Sequence, residues 1–302
     1  MLLNTTDIIL SVVGGLILLL GIVSNSLSLT YFVLQEKNKA MRRDREKTIS
    51  RSFILLSTFD LLVCVFGICN SLTDLWSSSS AGLAGYVTLG ILLLSVQLTW
   101  FITCLLAITR AIHVCFPHYN IKWRVVNVAT AAYGLIAFAS CALQILDAFP
   151  AYYPDHVENK VEMAEFFLLA VMYGIILISN IVCVVKLSSP HNRNTTWRRE
   201  ATITVIVLSV CFLVLNTGYL VRYGCDAFKM CDSIISSPYS YIIFERVLLL
   251  LNSAINPVIY CVRNSTLRAW LCEVGKNFKK ICGKKQVAAG HVVEVGRQSW
   301  IN

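Results

Sequence analysis

Charge is what this sequence has least of. Only 14% of its 302 residues are Asp, Glu, Lys or Arg, against 56% hydrophobic. A water-soluble domain carries roughly a quarter charged residues, so the deficit excludes an ordinary soluble fold and makes lipid the natural solvent. Other absences narrow the function. There is no CxxC pair or Cys/His cluster, so no metal centre is expected. HExxH, a matched pair of aspartates and a convincing Ser/His pair are all missing, which argues against an intramembrane enzyme. No internal repeat is visible, and a carrier built from inverted halves would show one. The net charge of +9 does not gather into a basic patch beside aromatic residues, so nucleic acid is not an expected partner.

What is present is a series of apolar runs. A helix needs about 20 mostly apolar residues to cross the hydrocarbon of a bilayer. Seven stretches qualify, at approximately 8–34, 52–76, 83–114, 125–149, 163–185, 201–223 and 239–262. The fifth and seventh are the least clean, because Glu165, Glu245 and Arg246 intrude near their ends. The first lacks the basic start and the cleavage site of a signal peptide and reads as a retained helix. The expected fold is an all-α membrane protein, a seven-transmembrane helix bundle with a short amphipathic helix after the seventh span. Residues 1–7 form an extracellular N-terminus, 8–262 the seven-helix domain, and 263–302 the cytoplasmic amphipathic helix and tail. Seven of the twelve cysteines (Cys64, Cys69, Cys104, Cys141, Cys183, Cys211 and Cys261) lie inside the runs and read as small buried hydrophobes.

Orientation follows from the basic residues. Of the 26 Lys and Arg, 22 fall in the first, third and fifth gaps or after the seventh run, and only Lys160, Arg222, Lys229 and Arg246 fall on the other side. The positive-inside rule makes the crowded side cytoplasmic, giving a multi-pass plasma-membrane protein with its N-terminus outside. Asn4-Thr5-Thr6 is then a glycosylation sequon on the outer side. After Val262, Leu267, Trp270, Leu271 and Val274 recur at helical spacing, as expected of a helix lying on the inner membrane surface. Cys272 and Cys282 beside it are palmitoylation candidates, and the lysines of the tail favour anionic lipid.

Polar residues within the spans raise the energy of insertion and mark packing devices or function. Asp60, midway along the second span, is the sharpest case. Asn25, Thr99, Asn252, Ser253 and Asn256 lie at matching places in the first, third and seventh spans. Together with Asp60 they form either a polar centre able to hold water or a small cation, or a hydrogen-bonded packing network. Asn256-Pro257 interrupts the last span, since proline removes a backbone donor and kinks a helix. Arg110, at the inner end of the third span, is either functional or a snorkelling end residue.

The run Leu251-Asn252-Ser253-Ala254-Ile255-Asn256-Pro257-Val258-Ile259-Tyr260 resembles the seventh-helix NPxxY segment of rhodopsin-like G-protein-coupled receptors. Leu56 and Asp60 resemble that family's second-helix pattern, Gly21 and Asn25 its first, and Arg110 with Pro117 its third-helix arginine and downstream proline. The resemblance covers the chain from the first span to about Cys272. It implies no enzymatic activity, and a receptor passing an extracellular ligand's binding to heterotrimeric G proteins. It further implies a sodium-modulated centre at Asp60, Thr99, Asn252, Ser253 and Asn256. G-protein engagement falls around Arg110, with switch positions at Phe212, Asn216, Pro257 and Tyr260.

There are departures. Thr109 and Ala111 replace the acid and tyrosine that flank the family's arginine, so the restraining ion pair is missing and raised basal signalling is expected. Glu200 is a candidate substitute partner. The CWxP segment of the sixth helix reads Leu215-Asn216-Thr217-Gly218. The family's usual disulfide cysteines are absent, and Cys225 and Cys231 are a candidate pair around the third outer loop. Leu92 stands where aminergic receptors carry their aspartate, so the expected ligand is a peptide, lipid or other small non-aminergic molecule. Asp74, Gln97, Asp147, Tyr219, Arg222, Tyr223 and Arg246 populate the outer half. Arg246 is either an anchor for a carboxylate or phosphate or the partner of Asp74 or Asp147. The alternative for the whole chain is an ion-coupled carrier or a non-signalling seven-helix membrane protein.

Overall fold

The computed structural model describes residues 5–38, 44–76, 83–116, 119, 121–147, 155–188, 196–228 and 238–276. Among them there is no strand. Seven long helices follow one another: α1 Thr5–Asn38, α2 Asp44–Trp76, α3 Leu83–Cys115, α4 Trp123–Asp147, α5 Asp155–Ser188, α6 Thr196–Phe228 and α7 Pro238–Arg263. A shorter α8 spans Ser265–Lys276. Six helices are long and apolar enough to cross a membrane, and a seventh qualifies if α8 and the adjoining part of α7 are taken together. Several helices outrun their apolar stretches. α2 begins at Asp44, in the charged segment Asp44-Arg45-Glu46-Lys47, and its 33 residues rise about 50 Å, well beyond the hydrocarbon. Backbone hydrogen bonds within a helix need no help from solvent, so the helix does not have to stop where the lipid does.

The faces of the helices are inverted relative to a protein in water. On α1, Leu16, Leu20 and Val23 are exposed while Leu18, Asn25 and Ser28 are buried at helical spacing. On α4, Leu135 is 74% exposed and Phe138 63%, whereas Tyr133, Ala137 and Cys141 turn inward. Meanwhile Asp60, Ser57, Ser209 and Asn216 are wholly inaccessible. Apolar surface on this scale is a liability in water. Around a protein that hides its polar side chains it is the arrangement that hydrocarbon selects. The protein is an all-α, multi-pass membrane protein.

The chain divides into Met1–Ile259 and Tyr260–Asn302. In the first unit α3 is the hub, packing on α2, α4, α5 and α6. Phe101 stacks on Tyr133 of α4 at 4.1 Å, and Phe166 of α5 meets Phe228 of α6 edge-on at 5.5 Å. Ile102, Val63 and Ile176 fill the space between helices at full burial. α1 closes on α2 and α7 at Gly21. A β-carbon there would lie 2.5 Å from Cys64 Sγ and 3.3 Å from Ala254 Cβ. An ion pair between Arg51 and Glu36 joins α2 to α1 near one end.

In the second unit the helical path breaks at Asn264. Its Oδ1 accepts from the Leu267 amide at 3.1 Å and from the Thr266 hydroxyl, an N-cap for α8. Arg268 donates from Nη1 to the carbonyls of Cys261 and Val262, which are among the acceptors left over at a helix C-terminus. Leu267 is buried, while Arg268, Cys272 and Val274 are exposed.

Candidate functional site

The site begins with Pro257. Lacking an N–H, it leaves the carbonyl four residues earlier, that of Ser253, without its helical donor. Asn25 of α1 supplies one: its Nδ2 donates to Ser253 O at 3.0 Å and to Gly21 O at 3.0 Å. The close approach at Gly21, one turn before Asn25, is what brings that amide within reach of α7. Asn256 is thereby left for Asp60, donating from Nδ2 to Oδ2 at 2.7 Å. Thr99 of α3 donates to Oδ1 at 3.3 Å, and the Ser253 hydroxyl also interacts with the carboxylate. Asp60 is 0% exposed, so it is held by side chains from α3 and α7 while Asn25 holds the break in α7. Asn252 is buried on the same stretch of α7. The sequence expected these six residues to share one centre, and the structure brings Asp60, Thr99, Ser253, Asn256 and Asn25 into one network.

The donor set can be tested against a small cation. Asp60, Thr99 and Ser253 contribute oxygens only. Two further buried oxygens, Asn25 Oδ1 and Ser57 Oγ one turn from Asp60, have no protein hydrogen-bond partner. Hard cations take oxygen ligands of this kind, and buried polar atoms ordinarily find a partner. The chemistry of these oxygens suits a small hard cation.

A second constellation joins α3 to α6. Trp100 donates from Nε1 to Asn216 Oδ1 at 3.2 Å, and Asn216 Nδ2 donates to Phe212 O at 2.8 Å. Phe212 is 1% exposed and lies edge-on to Trp100 at 6.5 Å. Tyr219, on the other side of Asn216, meets Trp100 at 5.0 Å and 71°. Trp100 of α3 thus packs against α6 with Asn216 as its polar partner. Sequence reading singled out Asn216 and passed over Trp100, although Trp100 stands one helical turn from Gln97. α6 runs as one helix through Gly218.

At the far end of α3, Thr109 and Arg110 are each 3% exposed, and Arg110 lies close enough to Cys183 of α5 to interact electrostatically. Glu200 is exposed on α6.

Gln97 and Tyr219 line a cleft with Trp100, Tyr133, Glu165, Leu168, Leu169 and Met172. Its empty space is about 300 Å³, mouth included. Glu165 was legible only as an intruder in an apolar run; the structure makes it the polar centre of this cleft. The side chains of Asp74, Asp147, Tyr223 and Arg246 lie outside the described part of the molecule, as do Asn4, Cys231 and Cys282. Cys225 is disulfide-bonded, nine other cysteines among the described residues carry free thiols, and Cys272 is exposed near the end of α8. Compared with models of known protein families, the chain matches none.

Proposed function

We propose that this chain is a seven-span receptor of the rhodopsin-like type, which passes the binding of an extracellular ligand across the plasma membrane to heterotrimeric G proteins. The observation that carries the reading is the network around Asp60. A proline break in α7 is held by a side chain of α1, and the asparagine beside the break is tied to a carboxylate of α2 that also binds α3. Such a junction is suited to switching. Its hydrogen bonds can be exchanged among Asn25, Asp60, Asn256 and the Ser253 carbonyl with little change in number, so two packings differ by little free energy. A sodium ion at Asp60 stabilises whichever packing keeps the oxygens together. Phe212, Asn216 and Pro257 are the moving parts between the cleft and Arg110, and Arg110 is the contact for the G protein.

The test is basal activity across a panel of G-protein sensors, at matched surface expression. Wild type is expected to couple measurably without ligand, because Thr109 gives Arg110 no local acid. Arg110→Ala should abolish that signal, Thr109→Asp should lower it, and Asp60→Asn should remove its dependence on sodium. Coupling that survives Arg110→Ala unchanged would sink the proposal.

A further inference from the structure

We infer that the hydrogen bond from Trp100 to Asn216 is a latch between α3 and α6, which holds the inner half of α6 over Arg110 and so restrains signalling. The inference deepens the receptor reading and rests on it for its physiological meaning.

Three observations support it. First, the bond is buried at both ends: Asn216 is 0% exposed and Trp100 5%. An indole has a single donor, and here it is spent on Asn216 Oδ1. Asn216 Nδ2 is committed to the carbonyl of Phe212, one turn back in its own helix, which fixes the side chain and turns Oδ1 toward the indole. The reversed amide would set N–H against N–H and oxygen against oxygen. Second, the indole is gripped from three positions on one face of α6. Phe212 lies one turn before Asn216 and Tyr219 one turn after, and both meet the indole edge-to-face, at 6.5 and 5.0 Å. A movement of α6 away from α3 at this level breaks the bond and both ring contacts together. Third, the same packing hides Arg110, the residue assigned to the G protein, which is 3% exposed. Between the two levels α6 turns one continuous stripe inward. Thr202, Val205, Ser209, Phe212 and Asn216 recur every three or four residues, each 2% exposed or less. The helix is unbroken through this stretch and carries displacement along its length. A shift of the stripe that uncovers Arg110 therefore pulls on Asn216 too.

The bond weights the balance toward the packing in which Arg110 is covered. A stranded Asn216 oxygen or indole N–H is costly while it stays buried, so loss of either partner tips the balance toward the open arrangement. Loss of both strands nothing and tips it less.

Alkylation of Cys183 in the purified full-length protein reads the latch without any G protein. Cys183 is 2% exposed and close enough to Arg110 to interact with it, so an opening that uncovers Arg110 uncovers this thiol. Cys141 of α4, 3% exposed, is the control, because α4 packs on α2, α3 and α5. The probe is N-ethylmaleimide, with each cysteine's peptide followed by mass spectrometry. Trp100→Phe and Asn216→Leu should each speed labelling of Cys183 by about fivefold or more and leave Cys141 unchanged. The double variant should label more slowly than either single one. Basal coupling at matched surface expression should rise in both single variants and fall back in the double. Cys183 labelling no faster than in wild type, Cys141 labelling that rises in step with it, or a double variant as fast as the faster single one would overturn the inference. Either single variant decides the matter if the other does not fold. Faster Cys183 labelling in a protein that couples to no G protein would sink the receptor reading alone. Coupling in wild type, with Cys183 labelling unmoved by either substitution, would sink this one alone.

Discussion

At the scale of single residues, the interior is organised by satisfying particular atoms. Asn25 answers the carbonyl that Pro257 frees, Asn256 answers one oxygen of Asp60 and Thr99 the other. Trp100 and Asn216 answer each other, and here the physics makes a sharp prediction. Trp100→Phe keeps an aromatic ring against Phe212 and Tyr219 but strands the Asn216 oxygen, which is 0% exposed. An orphaned buried acceptor costs about 1–3 kcal/mol, beyond whatever the smaller ring loses in packing. Asn216→Leu alone strands the indole N–H. The double substitution removes both polar partners and should restore part of the loss. Melting temperatures of the two single variants and the double variant in detergent check this, and strictly additive losses would show that the hydrogen bond contributes nothing.

At the scale of helices, the geometry rests on a few close approaches. α1 can lie against α2 and α7 because position 21 has no side chain. Gly21→Ala places a methyl group against Cys64 Sγ and Ala254 Cβ. Overpacking of this kind costs about 1–3 kcal/mol, and by pushing α1 outward it should also loosen the Asn25 bond to Ser253. Cys64→Ala, which removes the nearest atom, should recover stability in the Gly21→Ala background and lower it slightly on its own. Melting temperatures of the four combinations measure the rescue; no recovery would place the strain at Ala254 alone. How far these helices were legible in advance follows from the same physics. Spans 1 to 6 could be read directly, because twenty apolar residues in a row admit one structure in lipid. The seventh was harder, since Glu245 and Arg246 intrude near its outer end. The network around Asp60 was legible because a charge in a span must find partners, and few polar residues were available. The cleft was not. Trp100, Tyr133 and Ser140 look like ordinary members of their helices until α3, α4 and α5 are packed. Only packing shows that they converge on Glu165.

At the scale of the whole molecule, two patterns act in different directions. Burial varies around each helix, with polar side chains within and Leu135, Leu20 and Ile178 without, and this makes the protein a membrane protein whichever way up it lies. Charge varies along the helices and breaks that symmetry. With 22 of 26 basic residues on one side, insertion in the opposite sense would carry most of the Lys and Arg across the bilayer, which the positive-inside rule disfavours. An N-terminal tag should therefore stain intact cells, and a C-terminal tag should stain only after permeabilisation. The first gap sits beside the first helix, which usually dominates orientation. Replacing Lys37, Lys39, Arg42, Arg43 and Arg45 with Gln should lower the fraction of N-terminal tags reached from outside, while leaving α2 to α6 long and apolar enough to insert. Staining of the C-terminal tag on intact wild-type cells would reverse the assignment. It would place the cleft at Glu165 on the cytoplasmic side and Arg110 outside, an arrangement in which a receptor for extracellular ligands does not work.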